Sequence, residues 1–182
     1  MWPEIFGDDR PVEVEIGPGR GETLLAFAAA RPETNFFAIE RIPGAAEAIM
    51  ARAGARRLAN VRVVAADARC VVGRLVGERS VAAYHLYFPD PWPKTRHRGR
   101  RLANPGFARD LARTLTPGGT VHVASDLAAL VADLVALLAR AGLAPEVGAT
   151  PPPGRALTAF ERKYAQNGTY YARLRSEGAP AP

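Results

Sequence analysis

The sequence predicts an α/β fold with a doubly wound, mostly parallel sheet, and three features of the chain lead to that prediction. Short apolar strands alternate with helical segments along most of its length. The first strand runs directly into a glycine-rich turn. Acidic residues recur where strands end, which is the edge at which such sheets bind ligands. At 182 residues, we expect a single domain over 1–182.

The segment 12–21 reads VEVEIGPGRG and is the centre of this pattern. Its apolar residues alternate with Glu13 and Glu15, which is the period of a strand. The glycines Gly17, Gly19 and Gly21 then precede a helix. Glycine allows a ligand to approach the backbone closely, and the start of a helix leaves N–H groups unpaired. The pattern indicates a nucleotide-like cofactor site, although a plain tight turn in an α/β sheet would have the same spacing.

The remaining elements follow from periodicity, caps and breakers. Residues 1–10 are expected to be a short lead-in and residues 176–182 a disordered tail. Further strands are predicted over 35–40, 61–66, 81–88, 120–125 and 169–174. Helices are predicted over 21–30, 43–58, 68–76, 104–115 and 126–141, with a turn or short helix over 158–164.

Carboxylates end, or closely flank the ends of, the five central strands: Glu15, Glu40, Asp67, Asp90 and Asp126. The carboxyl ends of parallel strands share one edge, so we expect these acids to converge there. Like charges repel unless a ligand or cation uses them. A dinucleotide could use Glu40 at a ribose. S-adenosylmethionine fits the acidic edge better, because it carries donors and positive charge but no phosphate.

Residues 89–101 read PDPWPKTRHRGRR and concentrate proline, aromatic and basic residues. With a net charge of +6, this segment favours a polyanion such as nucleic acid. The alternative interpretation is a solvated basic loop.

Other residues are given simpler interpretations. Cys70 is the only cysteine and is expected to be a small core residue in a cytoplasmic protein. No membrane span or signal segment is expected. His85 and His122 fall inside strands and are interpreted as hydrogen-bonded core residues, with no metal site. The aromatic residues near the C-terminus are expected to pack the last strand, with lining of the site as the alternative: Phe160, Tyr164, Tyr170 and Tyr171.

These segments, in this order, resemble the tRNA (guanine-N7-)-methyltransferase family. The resemblance runs from about Val12 to Leu174 and includes the glycine turn and the acids Glu40 and Asp67. Its most specific part is FPDPWPKTRHRGRRL at 88–102; SDLAAL at 125–130 and TAFERKYAQNG at 158–168 follow.

The resemblance implies a seven-stranded, class I S-adenosylmethionine-dependent (Rossmann-like) fold and methyl transfer to guanine N7 in tRNA, at position 46 of the variable region. The implied cofactor-binding residues are Glu15, Gly17, Gly19, Gly21, Glu40, Asp67 and Asp90. Asp90 and Asp126 are the candidate catalytic residues, because carboxylates near the base stabilise positive charge that moves onto the purine. The implied substrate-binding residues are Lys94, Arg96, His97, Arg100, Arg101, Asp126, Thr158 and Glu161.

Some positions differ from the family pattern. The segment before the first strand is shorter than usual, Leu127 and Leu130 replace an aromatic pair, and Ala159 stands where lysine is common. We expect a monomer or homodimer. A partner protein is one possible source of the missing part of the N-terminal segment. The alternatives are a divergent methyltransferase of another RNA or a small purine-like substrate, and a non-catalytic RNA-binding partner subunit. A dehydrogenase is the least favoured.

Overall fold

The computed structural model of the chain describes residues 1–89, 104–163, 166 and 168–177. Its strands are β1 (Val12–Ile16), β2 (Asn35–Glu40), β3 (Val61–Ala65), β4 (Val81–Tyr87), β5 (Leu115–Ser125), β6 (Leu143–Pro145) and β7 (Tyr170–Ser176). Its helices are α1 (Trp2–Phe6), α2 (Glu22–Ala30), α3 (Pro43–Ala55), α4 (Ala68–Arg74), α5 (Pro105–Thr114), α6 (Ala128–Arg140) and α7 (Ala159–Lys163).

The seven strands form one sheet in the order β3-β2-β1-β4-β5-β7-β6. Strands β1 to β5 are parallel, whereas β7 runs antiparallel between β5 and β6. The chain moves outward from β1 to β3, then returns to place β4 beside β1 on the other side. The crevice beyond β1 and β4 is therefore a topological switch point, where such sheets bind ligands. The prediction of a doubly wound, mostly parallel, seven-stranded sheet is confirmed.

Helices cover both faces of the sheet because strand residues alternate between them. On β1, Val14 and Ile16 belong to a core cluster that also contains residues of α1, α4, α5 and α6. Glu13 and Glu15 point to the opposite face, where α2 and α3 supply a second apolar cluster. The polar alternation seen in the sequence thus places two acids under α2.

Four elements differ from the sequence-based prediction. The lead-in contains α1, whose Trp2 is buried and packs edge-on against Phe37, with ring centroids 5.2 Å apart. Strand β5 begins at Leu115 and not at Thr120, because residues 116–119 form an irregularity within the strand that shifts its register against β4. The short strand β6 was not predicted. Ser176, expected to start a disordered tail, closes β7, and residues 178–182 lie outside the described part of the chain.

The expectation that Cys70 is a core residue is wrong. Helix α4 buries Ala68, Val71 and Val72, and Cys70 is exposed on the other face. A helix with 3.6 residues per turn that faces the core at 68, 71 and 72 turns position 70 outward. No described helix is long and apolar enough to cross a membrane.

Candidate functional site

The glycine turn connects β1 to α2 and hydrogen-bonds to the end of β2. Gly17, Gly19 and Gly21 have φ angles of 67°, 57° and 67°, a left-handed region that favours glycine. The Gly17 N–H donates to the Ile39 carbonyl oxygen at 2.9 Å. At Gly21, a Cβ atom would lie 3.0 Å from the Ile49 side chain, so this glycine also lets α3 pack closely. The turn therefore depends on glycine for both its backbone conformation and its packing.

A solvent-accessible pocket of about 570 Å³ lies beyond the carboxyl ends of β1 to β4. Its walls include Gly17, Glu40, Asp67, Arg69 and Phe88. Of the five acids expected to converge at this edge, Glu40 and Asp67 line the pocket and Glu15 and Asp126 do not, while Asp90 lies outside the described residues.

Glu40 connects this pocket to the turn. Its side chain accepts hydrogen bonds from the Gly19 N–H at 3.3 Å and the Ile42 N–H at 2.9 Å. The residue is 7% exposed, yet it lines the pocket. Glu40 thus holds the turn in place and places a carboxylate in the wall of the pocket.

Asp67 caps α4 and is paired with a cation that sequence reasoning missed. Its Oδ1 accepts the Arg69 N–H at 2.9 Å, and the Arg69 guanidinium donates to Oδ1 and Oδ2 at 3.1 and 2.6 Å. Hydrogen bonding to Arg69 lowers the pKa of the Asp67 carboxyl below its usual range. Any donor that binds Asp67 shares its oxygens with Arg69.

Glu15 lies two residues before Gly17 and is 4% exposed. Its Oε2 atom is buried and has no hydrogen-bond partner within the described part of the chain. Burial raises the pKa of the Glu15 carboxyl to about 8, although the nearby positive charge of Arg155 opposes the shift. A buried carboxyl oxygen of this kind, next to the glycine turn, is available to a polar partner that the described residues do not supply.

Thr158 and Glu161 come together at the start of α7. The Thr158 N–H donates to Glu161 Oε2 at 2.8 Å, and the Glu161 N–H donates to Thr158 Oγ1 at 3.1 Å. This reciprocal pair is a capping box, which the T-x-x-E spacing could have indicated. Glu161 is 6% exposed.

Arg155 is a second residue that the sequence reasoning missed. Its guanidinium donates to both carboxylate oxygens of Glu161, at 3.1 and 2.6 Å, and both side chains are 4% exposed. It also lies over the Tyr87 ring, 4.6 Å from the centroid. Because Arg155 and Thr158 engage the Glu161 oxygens, this carboxylate anchors its own segment to the sheet.

Asp126 follows β5 and is half-buried, with Ser125 Oγ at 3.4 Å from its Oδ1. Neighbouring aromatic residues are more exposed than expected. Phe160 and Tyr170 are 41% and 50% exposed, so neither side chain is buried by packing, and the alternative that they line the site stays a prediction. Short α7 presents Phe160 outward, and Tyr170 begins β7 at the edge of the crevice, opposite Ser125. Tyr171 is half-buried, and its hydroxyl bonds to His122 Nδ1.

The two strand histidines are core residues, as predicted. His85 bonds through Nε2 to Glu13 and through Nδ1 to the Tyr87 hydroxyl, both at 2.8 Å. His122 stacks on His85 with ring centroids 5.0 Å apart. Burial and the neighbouring His85 lower the pKa of His122 to about 3.

Several predicted residues lie outside the described part of the chain: Asp90, Lys94, Arg96, His97, Arg100 and Arg101, together with Tyr164. Across the described ranges, no three His, Cys, Asp or Glu side chains are grouped as metal ligands.

The sequence of the chain matches a known protein family. Residues 9–174 match the family Methyltransf_4, described as "Putative methyltransferase". Relatives named tRNA (guanine-N(7)-)-methyltransferase include one from Hydrogenovibrio crunogenus at 37% identity, covering 90% of this chain and 76% of that protein. Another, from Cupriavidus pinatubonensis, is 36% identical over 89% of this chain and 66% of its own length. A third, from Streptomyces coelicolor, is 44% identical over 68% of this chain and 45% of its own length.

Solved structures with the same fold are more distant in sequence. The 16S rRNA methyltransferase KamB aligns with a TM-score of 0.67 at 20% identity, over 98% of this chain and 93% of that one. A SAM-dependent O-methyltransferase from Thermotoga maritima aligns with a TM-score of 0.65 at 15% identity, over 100% of this chain and 65% of that one. These likenesses show the fold, and the closer sequence matches show the family. The chain belongs to the tRNA (guanine-N7-)-methyltransferase family.

Proposed function

We propose that this protein transfers a methyl group from S-adenosylmethionine to guanine N7 in tRNA, at position 46 of the variable region. One observation carries the proposal: the pocket beyond β1 to β3 combines a glycine turn with Glu40 and Asp67 in a member of this family. A tRNA substrate would place the protein in the cytoplasm.

The residues present suit S-adenosylmethionine. The molecule offers hydrogen-bond donors in its ammonium, ribose hydroxyls and adenine amine. Glu40 and Asp67 present acceptor oxygens at the pocket, and the unpaired Oε2 of Glu15 is a further acceptor behind the turn. We assign cofactor binding to these acids, to Gly17, Gly19 and Gly21, and to Asp90. When bound, the cofactor supplies a methyl group activated by a sulfonium.

Catalysis in this proposal is mainly positioning and electrostatics. Guanine N7 has an in-plane lone pair that is unprotonated near neutral pH, so no strong general base is needed. Asp90 and Asp126 accept hydrogen bonds from the guanine N1 and N2 donors. Their negative charge also stabilises the positive charge that develops on the purine in the transition state. The target base must leave the folded RNA to reach them.

The remaining substrate residues hold the RNA. Lys94, Arg96, His97, Arg100 and Arg101 are assigned to the phosphate backbone and its adjoining bases. Thr158 and Glu161 are assigned to the substrate side, and Glu161 acts there by holding its segment through Arg155.

The test is methylation of unmodified bulk tRNA with labelled S-adenosylmethionine, followed by mapping of N7-methylguanosine with borohydride and aniline. We expect cleavage at one variable-region guanine. Asp126→Asn and Asp90→Asn should each lower kcat by about 100-fold, because each removes a charge used in the transition state. Asp133→Asn, an exposed substitution on α6, is the matched control and should retain wild-type activity.

Two outcomes would contradict the proposal. Binding of S-adenosylhomocysteine without any label in tRNA would favour the divergent methyltransferase. Failure to bind S-adenosylhomocysteine would favour the non-catalytic RNA-binding subunit.

A further inference from the structure

Phe88 has an unusual backbone conformation at the end of β4. Its φ angle is 50°, in the left-handed region that a bulky side chain rarely adopts. Its N–H donates to the Ala124 carbonyl oxygen at 2.8 Å, which holds the residue in place. Strained backbone that the surroundings maintain is concentrated at functional sites. Here the strained residue also lines the pocket.

Phe160 lies against Phe88 but remains open to solvent. The two ring centroids are 5.2 Å apart, with an interplanar angle of 41°. Phe160 is 41% exposed. Phe88 is half-buried and packs against the second apolar cluster, whereas Phe160 leaves much of its ring in solvent, which core packing does not explain.

Helix α7, which carries Phe160, is held by contacts with α2. The Ala159 N–H donates to Glu22 Oε2 at 2.6 Å, and Arg162 pairs with the same carboxylate. The buried Arg155–Glu161 pair lies one residue further along. These contacts hold α7 against α2 and the sheet, so the exposed ring occupies a defined position before any ligand binds.

The aromatic pair is close to the proposed reaction site. Phe88 bonds to Ala124, and Asp126 follows only two residues later. Phe88 also precedes Asp90 by two residues. The rings therefore adjoin both the pocket and the ends of the two strands that lead to the proposed catalytic acids.

We propose that Phe88 and Phe160 form an aromatic platform for the planar face of the target guanine, and that it binds the N7-methylated base more tightly than the unmodified base. The inference rests on the proposed function. Aromatic side chains stack on unpaired bases in RNA recognition. In the reaction, the N7 lone pair forms the new N–C bond as the C–S bond breaks. The sulfur becomes a neutral thioether and the purine takes the positive charge. The face of an aromatic ring attracts that cation.

The experiment compares Phe160→Leu, which keeps an apolar side chain without a ring, with Phe160→Tyr, which keeps the ring. For each variant we would measure kcat/KM for tRNA and the Kd for S-adenosylhomocysteine. We would also measure Kd values for unmodified tRNA and for the same tRNA carrying N7-methylguanosine. Phe160→Leu should lower kcat/KM about tenfold and bring the two tRNA affinities closer together. Phe160→Tyr should stay within about twofold of wild type, and S-adenosylhomocysteine should bind all three proteins equally.

The results separate this inference from the proposed function. A wild-type protein that methylates tRNA, with a Phe160→Leu variant equal to it in kcat/KM and in the ratio of tRNA affinities, would overturn the platform alone. Equal losses in Phe160→Leu and Phe160→Tyr would also overturn it, because the ring would not be the cause. A wild-type protein that binds S-adenosylhomocysteine but does not methylate tRNA would overturn both.

Discussion

Glu15 has the most unusual environment among the described acids of the site. It is 4% exposed and its Oε2 has no described hydrogen-bond partner. Burial raises its pKa from 4.5 to about 8, so the unliganded fold binds this proton more tightly than the unfolded chain does. The stabilisation is fully present below about pH 4.5 and is lost as the pH rises through about 8.

Glu15→Gln should remove this pH dependence, because glutamine stays neutral and has nearly the same shape. Without cofactor, the free energy of unfolding of the variant relative to wild type should rise by about 2–4 kcal/mol between pH 5 and pH 8.5. Urea denaturation at the two pH values measures this change. Glu33→Gln, on an exposed residue, is the control and should show no such difference. A constant offset for Glu15→Gln at both pH values would contradict the prediction.

Glu13, two residues earlier on the same strand, has the opposite protonation preference. Burial opposes its ionisation, but hydrogen bonds and charge from His85 and Arg31 outweigh burial and lower its pKa to about 2. Two acids on one face of β1 therefore differ in charge, because hydrogen bonds and nearby charges outweigh burial at Glu13 but not at Glu15.

At the scale of elements, a buried ion pair is one of the contacts that hold the segment carrying Thr158 and Phe160. The side chains of Arg155 and Glu161 are each 4% exposed. Removal of one partner from a buried pair leaves a desolvated charge, which costs more than the loss of a surface pair.

Arg155→Met should therefore loosen α7 and the loop before it. We expect faster hydrogen exchange in peptides covering 155–163, corresponding to about 3–5 kcal/mol of lost local stability. Adding Glu161→Gln removes the stranded charge and keeps the capping oxygen, so the double variant should recover part of the protection. Arg175→Met is the control, because its pair with Glu146 is half exposed and should contribute about 0–1 kcal/mol. Equal exchange in Arg155→Met and wild type would show that other contacts hold the segment.

At the scale of the whole molecule, the sheet depends on residues near the C-terminus. Strand β7 pairs with β5 on one side and β6 on the other. Leu174 is fully buried there, opposite Val121 and Pro145. Strand β5 ends at Ser125 and β7 begins at Tyr170, so their pairing joins distant parts of the chain. Such non-local pairing costs chain entropy until the packing forms.

Leu174→Ala should lower the free energy of unfolding by about 2–5 kcal/mol, because it leaves a cavity between the sheet and its helices. Leu75→Ala, at a residue that is 62% exposed, is the matched control and should change stability by less than about 0.5 kcal/mol. Thermal and urea unfolding measure both. Similar small effects of the two substitutions would mean that β7 contributes little to the global fold.

The sequence by itself determined the order of the central elements, the bounds of β1 and β2, the glycine turn and the edge at which Glu40 and Asp67 meet. These follow from local signals: apolar period, turn residues and the position of an acid after a strand. The tertiary structure alone decided the pairing of Asp67 with Arg69, the anchoring of Glu161 by Arg155, and the exposure of Phe160 and Cys70. It also decided the burial of Trp2 and the place of β7 inside the sheet. Each of these depends on which distant groups a residue meets once the chain is packed, and residue spacing along the chain carries little of that information.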